Sequence, residues 1–513
     1  MGHPDTVVLD GTPLGEDAVV AVARHGAKVS VGEAVAEAMA PARGIVDAHL
    51  DNDRPVYGLT TGFGALAGVR IAPEDLAQLQ ANLVRSHAAG AGEPLPAEVV
   101  RAMMLLRART LAAGRSGVRP ILVERIADLL NANVTPAVPS RGSVGASGDL
   151  AQLAHAALCL LGEGHVLTEE GGTEPAGPAL RRAGLEPIQL QAKEGLALVN
   201  GTEGMVALGS LALHDARALL IAADVAAAMT IEGALGTDRP FAEDVIGLRP
   251  HPGQAASAAN LRTLLDGSPI IASHRDSAHA VQDPYSMRCA PQVHGAARDA
   301  LGFVAEVFDR ERASTVDNPV VLADGRVEST GNFHGEPLAY AMDLLAEALT
   351  GVASISERRT YWLLGPGVDR DLPPFLSTDP GLGSGYMLAQ YTQAALVSEC
   401  RVLAQPAGID SIPTSGSQED HVSMGWLSGL KLRPLLEHVR TVVAIEALVA
   451  AQSLDLREPA PAAGTGAALE ALRDRVPFLD RDRDVSVDIA AAEDLVRTGA
   501  LAETAARAVG PLR

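Results

Sequence analysis

The chain has 513 residues, of which 47% are hydrophobic and only 3% aromatic, and its formal net charge is −22. This length exceeds what a single core usually supports, and abundant alanine and leucine with few aromatics favour packed helices over sheets. The acidic balance argues against nucleic acid or an anionic membrane surface as a partner.

The cysteines, the N-terminal sequence and the apolar runs together indicate the cellular compartment. Cys159, Cys289 and Cys400 are odd in number and widely spaced, which predicts a reducing environment without a disulfide framework. No pair of Cys or His residues has zinc-site spacing, so we expect no metal. The N-terminus has no cationic segment before an apolar run, and the richest apolar stretch, VVAIEALVAA, contains Glu446. We therefore expect a cytoplasmic protein without a membrane span.

Hydrophobic periodicity in the first 200 residues predicts several helices and a few short strands. We expect strands in TVVLDG and AKVSV, helices near 15–24, 31–50, 73–87, 96–113 and 119–132, and a hairpin-like excursion within 163–190. Residues 54–68 contain four glycines that predict an irregular loop. Its glycine pattern superficially fits dinucleotide binding, but no strand precedes it and no βαβ spacing follows, which excludes that interpretation.

From residue 205 onward the pattern is that of long helices, typical of a bundle in which each helix buries an apolar stripe. The predicted helices span 205–235, 254–266, 291–312, 336–364, 385–405 and 418–454. Pro434 is expected to kink the last of them, and a linker with two short helices follows residue 455. The predicted fold is mainly α: a smaller N-terminal domain, 1–225, carries the 54–68 loop and the 142–150 segment, and a long-helix bundle with a C-terminal tail spans 226–513.

The segment GSVGASGDL, residues 142–150, admits an unusual chemistry. Because Gly148 has no Cβ, its amide nitrogen can approach the carbonyl carbon of Ala146. Bond formation there, with loss of two waters, would convert Ser147 to dehydroalanine within a methylidene-imidazolone ring, an electrophile that no ordinary side chain provides. The alternative is a glycine-rich turn before a helix capped by Asp149, and the tripeptide alone favours this alternative because Ala-Ser-Gly is common.

Three other polar residues also have two interpretations when each is considered alone. Tyr57 is a packing aromatic or a catalytic phenol. His87 follows Leu76, Leu79 and Leu83 at helical spacing, so it is a satisfied core residue or an inward-facing site residue. Asn200, in a break between apolar runs, is a helix cap or a ligand-binding amide.

Taken together, nine separate stretches resemble the aromatic amino acid lyase family, over nearly the whole chain. They are YGLTTGFG (57–64), NLVRSHAAGAG (82–92), GSVGASGDL (142–150), NGTEGM (200–205), RPHPGQ (249–254), QDPYSMRCAPQ (282–292), DNPVV (317–321), GNFHGEP (331–337) and SIPTSGSQEDHVSMG (411–425). Within the family they are most similar to the histidine ammonia-lyase branch of actinobacterial type.

The resemblance implies a homotetramer whose active sites are shared between three subunits, and a 4-methylidene-imidazol-5-one formed autocatalytically from Ala146, Ser147 and Gly148. No metal or dissociable cofactor is expected. The implied reaction is the non-oxidative deamination of L-histidine to trans-urocanate and ammonia, the first step of histidine degradation. In the family the substrate amine adds to the methylidene carbon, a base removes the β-proton and ammonia departs; attack by the substrate ring is the competing order of bond making.

The matching motifs also imply catalytic roles. Tyr57 corresponds to the catalytic phenol, and Asp149 helps the backbone to cyclise. Tyr285, with Asn200 and Gln282, would hydrogen-bond the prosthetic group and the substrate amine.

Further matches imply how the substrate is held. Arg288 would bind the substrate carboxylate with its planar guanidinium, and Phe333 would pack beside the ring. Ser86-His87 fits the histidine-specific pattern, and Glu419 can accept a hydrogen bond from an imidazole N–H, which a phenyl ring cannot offer.

Two alternatives remain at this point: a phenylalanine or tyrosine ammonia-lyase or 2,3-aminomutase of the same family, and a non-catalytic helical scaffold. The chain departs from the family's usual pattern at positions outside the implied chemistry. These departures are Gln152, Glu203, Cys400-Arg401, Gln405, Pro434 and the stretch 365–375.

Overall fold

The computed structural model describes residues 4–50, 59–62, 66, 68–146, 148–276, 281–365 and 372–513. Helices dominate this part of the chain, which confirms the predicted mainly α fold. The first half contains short strands and mostly short helices. Its elements are β1 (Thr6–Leu9), α1 (Glu16–Arg24), β2 (Lys28–Val31), α2 (Val35–Leu50), α3 (Leu76–His87), β3 (Ala91–Pro94), α4 (Ala97–Ala112), α5 (Ile121–Asn131), β4 (Pro139–Arg141), α6 (Leu150–Leu160), β5 (His165–Leu167), β6 (Thr173–Pro175), α7 (Ala176–Arg182), α8 (Glu194–Val199) and α9 (Glu203–Gly233).

The second half contains the other long helices. Its elements are α10 (Glu243–Gly247), α11 (Pro252–Leu265), α12 (Pro269–Ser273), α13 (Tyr285–Arg288), α14 (Ala290–Ala313), β7 (Val320–Val321), β8 (Val327–Glu328), α15 (Glu336–Leu364), α16 (Met387–Leu403), α17 (Gly425–Asp455), α18 (Ala463–Arg473), α19 (Val485–Arg497) and α20 (Ala500–Val509). The strands of the described chain form two-stranded pairs: β1 with β2 is parallel, and β3–β4, β5–β6 and β7–β8 are antiparallel.

The chain folds into two compact units that are discontinuous in sequence. The first comprises Met1–Leu211, Ala305–Asp343 and Pro406–Leu430, and the second Ala212–Val304, Leu344–Gln405 and Lys431–Arg513. This division differs from the boundary after residue 225 expected from the sequence. Helices α9, α14, α15 and α17 each contribute residues to both units. Because the apolar pattern runs unbroken along such helices, the sequence carries no linker signal at these boundaries.

Helix α4 organises the first unit because every residue from Val99 to Ala112 is buried. A buried guanidinium requires hydrogen-bond partners. Arg101 donates to the carbonyls of Val22 at 3.0 Å and Leu130 at 3.1 Å, and so ties α4 to α1 and α5. The arginines of α4 thus act as internal clamps on neighbouring backbone.

Two helices of the described chain, α9 and α15, are long and apolar enough to cross a membrane by length and composition alone. In the most apolar 18-residue window of α9, 72% of the residues are buried inside the protein, and in that of α15, 56% are buried. Such burial is typical of core helices, which meet the same criterion.

The C-terminal part contains one expected and one unexpected feature. Helix α17 extends from Gly425 to Asp455 and includes Pro434, as expected, and the kink at this proline stays a prediction. The tail forms three short helices rather than two, because Gly499, at φ +78°, adopts a left-handed conformation and separates α19 from α20. All three cysteines lie in the described chain and are free thiols, in agreement with the prediction of no disulfide framework.

A buried ion pair in the first unit provides a test of the packing. The Lys193 ammonium lies 2.8 Å from an Asp317 carboxylate oxygen, and both side chains are at most 1% exposed. We expect Asp317→Ala to lower the free energy of unfolding by about 3–5 kcal/mol, since it leaves a buried ammonium without its counter-charge. Equilibrium chemical denaturation at matched protein concentration measures this loss.

The matched control removes a surface carboxylate. Glu306 pairs with Arg310 on α14, and both side chains are about two-thirds exposed, at 68% and 70%. Glu306→Ala is expected to leave the free energy of unfolding nearly unchanged, because exposed pairs contribute little. Equal destabilisation by the two substitutions would contradict this account.

Candidate active site

The 142–150 segment forms a tight loop between β4 and α6. Gly145 and Gly148 both have φ of +72°, in the left-handed region. A Cβ built on Gly148 would lie 1.7 Å from the carbonyl oxygen of Gly201, so only glycine fits this position. Ala146 and Gly148 are buried, and Ser147 lies outside the described residues.

Segments from distant parts of the sequence hold this loop by hydrogen bonds. The amide of Gly335 and the hydroxyl of Ser423 donate to the carbonyl oxygen of Gly145, at 3.1 and 2.9 Å. The amide of Met424 donates to the carbonyl of Val144 at 2.8 Å. The structure therefore brings together three of the stretches singled out in the sequence: 142–150, 331–337 and 411–425.

A fourth stretch, 200–205, meets the loop at Asp149. The Asp149 amide donates to the carbonyl oxygen of Gly201 at 2.7 Å. The Asp149 carboxylate accepts from the amide of Met205 at 2.8 Å and from the Ser143 hydroxyl at 3.2 Å. Asp149 occupies the cap position of α6, but within the described chain its side chain makes no cap hydrogen bond there. The predicted N-cap position of Asp149 is therefore confirmed, but its carboxylate satisfies an unpaired amide in the first turn of α9 rather than one in α6.

Burial changes the protonation of Asp149. The side chain is fully enclosed, and this desolvation raises the pKa of the carboxyl from 3.8 to about 8, helped by the charge of Glu203. The hydrogen bonds from Met205 and Ser143 oppose the shift without cancelling it. Asp149 therefore carries a proton at neutral pH and is placed beside the Ala146–Gly148 loop.

Asn200 presents an unused acceptor in the same region. Its side-chain nitrogen donates to the carbonyl oxygen of Asn318 at 3.0 Å. Its side-chain oxygen is buried and has no hydrogen-bond partner among the described residues. A buried polar atom without a partner is costly, so this oxygen fits a donor supplied by a bound group. Asn200 is the C-cap residue of α8 through its backbone amide, and its side-chain oxygen is left for a ligand, whose binding stays a prediction.

The charge of Glu419 acts on His87 despite their separation in sequence. His87 is half-buried at the end of α3, and a ring nitrogen lies 3.1 Å from the Ser86 hydroxyl. Burial lowers the pKa of His87, while a hydrogen bond to the Leu83 backbone and the charge of Glu419 oppose that shift. Glu419 accepts a 2.5 Å hydrogen bond from the Thr414 hydroxyl, which orients its carboxylate. The first unit thus holds both residues that were expected to select an imidazole.

The remaining predicted site residues do not lie in the loop around residues 142–150. Tyr285 and Arg288 lie on α13 in the second unit, with the guanidinium carbon 4.6 Å from the Tyr285 ring centre. Gln282 is exposed just before this turn. Phe333 is half-buried, two residues before Gly335. Tyr57 lies outside the described residues.

Comparison with known proteins identifies the family. The sequence profile of the aromatic amino acid lyases matches residues 14–474. The chain belongs to this family. A histidine ammonia-lyase of Streptomyces coelicolor is 51% identical over 512 residues, which cover 99% of this chain and 100% of that protein.

Solved structures of the aromatic amino acid lyase fold agree with this assignment. A histidine ammonia-lyase from Trypanosoma cruzi is 40% identical with a TM-score of 0.90, covering 98% of this chain and 96% of that one. A tyrosine aminomutase from Streptomyces globisporus is 38% identical with a TM-score of 0.93, covering 99% and 100%. Both cover nearly the complete chain.

Two departures from the usual lyase pattern, Glu203 and Gln152, are buried and have partners that the sequence did not show. Glu203 is buried and pairs with Arg107 of α4 at 2.9 Å, and the same Arg107 nitrogen donates to the carbonyl of Asn200 at 2.9 Å. Arg107 was missed because it lies in a different helix and has no local motif. Gln152 is likewise buried and donates to the carbonyl of Pro139 at 3.2 Å.

The described chain also contains one group of potential metal ligands. Side-chain ligand atoms of His334, Glu336 and His421 all lie within 4.8 Å of one another. Nε2 of His334 lies 3.2 Å from the carbonyl oxygen of His421, and the two rings stack at 5.8 Å between centroids. These contacts tie the 331–337 and 411–425 segments together, and the absence of a metal stays a prediction.

The protonation of Asp149 has a measurable consequence for stability. Because its folded pKa is raised above 3.8, its contribution is complete below that pH and is lost as the pH rises through about 8. Asp149→Asn keeps an uncharged polar group of the same shape and removes the titration. We expect the unfolding free energy of the wild type to fall relative to the variant between these two pH values.

Chemical denaturation of both proteins across this pH range measures the difference. If the difference between the two unfolding free energies did not change with pH, the pKa of Asp149 would not be raised by folding, and the carboxylate would be ionised in the folded protein at neutral pH.

Proposed function

We propose that this lyase deaminates L-histidine to trans-urocanate and ammonia, with an electrophilic ring formed from Ala146, Ser147 and Gly148. The convergence of residues 200–205, 331–337 and 411–425 on the 142–150 loop is the observation that carries this proposal. The 51% identity to the Streptomyces coelicolor histidine ammonia-lyase over the full chain supports the substrate assignment.

The residues around the loop fit the proposed prosthetic group. Cyclisation joins the Gly148 nitrogen to the Ala146 carbonyl carbon; the Ala146 oxygen leaves as one water, and the Ser147 hydroxyl with its α-hydrogen leaves as another. The left-handed Gly148 packs tightly against Gly201 and bends the backbone of this loop, which supports the proposed closure. Asp149, with its pKa near neutrality, is positioned to exchange the protons. The unpaired oxygen of Asn200 offers an acceptor for the substrate amine or the ring.

The prosthetic group, when formed, supplies an electrophilic carbon for the substrate amine and so makes ammonia a better leaving group. The chain's own residues bind and orient the substrate. Glu419 accepts from the imidazole N–H beside His87, and Arg288 holds the carboxylate in a two-pronged contact. Tyr57 removes the β-proton. Gln282 and Tyr285 bond the amine, and Phe333 packs against the ring.

The exposure of Tyr285 and Gln282 supports an active site that is shared between subunits. Tyr285 is 72% exposed although it stacks with Arg288, and Gln282 before it is exposed as well. Electrostatic contacts to a substrate are stronger where water is excluded. We propose that the protein is a homotetramer in which a neighbouring copy covers this turn. We also propose that it acts in the cytoplasm, without a nucleic acid or membrane partner.

A second candidate is a 2,3-aminomutase acting on an aromatic amino acid. The likeness to the tyrosine aminomutase, at a TM-score of 0.93, is the observation that favours it. Product analysis with a panel of L-histidine, L-tyrosine and L-phenylalanine distinguishes the two functions. Urocanate from histidine alone supports the lyase, whereas a β-amino acid product would replace it with the aminomutase.

Ser147 provides the direct test of the prosthetic group. We expect Ser147→Ala to fold and assemble as the wild type does but to lose nearly all turnover of L-histidine, because no methylidene carbon can form. Urocanate absorbance measures turnover, and size-exclusion chromatography checks the assembly. Turnover near the wild-type rate would reject the mechanism.

Glu419 provides the test of substrate choice. Glu419→Gln is expected to lower kcat/KM for L-histidine by about 10–100-fold, since a hydrogen bond to a charged group contributes about 1.5–3 kcal/mol. The matched control, Glu170→Gln, changes an exposed carboxylate in the turn after β5 and is expected to have wild-type kinetics. Unchanged kinetics for Glu419→Gln would remove this residue from substrate recognition.

A further inference from the structure

The turn that carries Tyr285 and Arg288 is too short to hold its own shape. Helix α13 contains only four residues, Tyr285–Arg288. A single helical turn is unfavourable in isolation, because it fixes several residues for very few hydrogen bonds. The direction in which Arg288 points therefore depends on what the rest of the second unit supplies to this turn.

A buried arginine supplies such a contact. Arg359, on α15, is fully buried, and its Nη1 donates to the carbonyl oxygen of Ser286 at 3.3 Å. Ser286 lies within α13, between Tyr285 and Arg288 in the sequence. This hydrogen bond joins the short turn to the long-helix core of the second unit.

The Arg359 guanidinium is itself held in one orientation. Its Nε and Nη2 donate to the two oxygens of the Glu446 carboxylate on α17, at 2.5 and 2.8 Å. Thr230 donates to the same carboxylate at 2.9 Å. Glu446 is also fully buried, so this two-pronged pair is rigid and shielded from solvent.

A second set of contacts restrains Nη2 of the same guanidinium. His294 Nδ1 lies 2.7 Å from a carboxylate oxygen of Asp224, and His294 Nε2 lies 3.4 Å from Nη2 of Arg359. Because Asp224 accepts from Nδ1, Nε2 of a neutral His294 is the acceptor for Arg359. Burial lowers the pKa of His294, in agreement with the neutral form.

We propose that Arg359, held by Glu446 and His294, is a positioning residue for substrate binding: it anchors the Ser286 carbonyl and thereby sets the direction in which Arg288 meets the substrate carboxylate. This inference rests on the proposed function, in which Arg288 binds that carboxylate. Arg359 itself does not touch the substrate.

The test replaces Arg359 by lysine in the full-length assembled protein. Arg359→Lys keeps the charge, but an ammonium cannot reproduce the planar fork that joins Glu446 and Ser286 at once. We expect KM for L-histidine to rise about tenfold, the equivalent of one charged hydrogen bond, with a much smaller change in kcat. Urocanate absorbance gives both constants.

Two competitive probes separate positioning from general damage. Imidazolepropionate carries a carboxylate, and L-histidinol has a hydroxymethyl group in its place. In Arg359→Lys, inhibition by imidazolepropionate is expected to weaken about as much as KM rises, while inhibition by histidinol stays close to that of the wild type. Equal weakening of both probes, or an unchanged KM, would overturn the proposal.

Two further variants complete the design. Glu446→Gln preserves the shape of the pair and is expected to give the same pattern more weakly. Arg101→Lys removes a buried guanidinium whose partners belong to the first unit, and it is expected to affect neither probe selectively.

Two further outcomes separate a failure of the positioning role from a failure of the proposed function. If neither Arg359→Lys nor Glu446→Gln assembles, the pair is a folding element and the positioning role is rejected. If the wild type itself fails to deaminate histidine, the proposed function fails instead.

Discussion

The close approach of Gly148 to Gly201 is the constraint on which the candidate site depends. The hydrogen bond from the Asp149 amide to the Gly201 carbonyl joins the 142–150 loop to the start of α9 at 2.7 Å. This contact requires a glycine at 148 and draws the Asp149 carboxylate to the amide of Met205. A bent backbone and a protonated buried acid therefore arise from the same local arrangement, and both suit a cyclisation.

Buried charges in each unit are organised for orientation more than for stability. In the first unit, Arg107 bonds both Glu203 and the carbonyl of Asn200, so it fixes the residue that presents an unused acceptor. In the second unit, Arg359 and Glu446 connect long helices to a single short turn. A buried ion pair adds little net stability compared with apolar packing, but it restricts its partners to one geometry.

Much of this molecule could be predicted from its sequence, since long amphipathic helices such as α15 and short strands such as β1 and β2 follow from local periodicity. The residues of the loop were found because glycines and Ser147 lie side by side. The contacts of Arg107, Ser423 and Arg359 could not be predicted, because they join helices and loops far apart in the chain. Asp149 occupies the predicted N-cap position of α6, but the bond from its carboxylate to the Met205 amide could not be predicted, because the amide belongs to a distant helix.

The central claim is that the chain modifies its own backbone at Ala146–Gly148. The most direct test is the mass of the purified, unmutated protein, followed by that of the peptide containing residues 142–150. The account predicts a deficit of two waters confined to this peptide, without any added enzyme or cofactor. A peptide with the unmodified mass would contradict it, because the hydrogen bonds around Gly148 would then hold an ordinary glycine-rich turn.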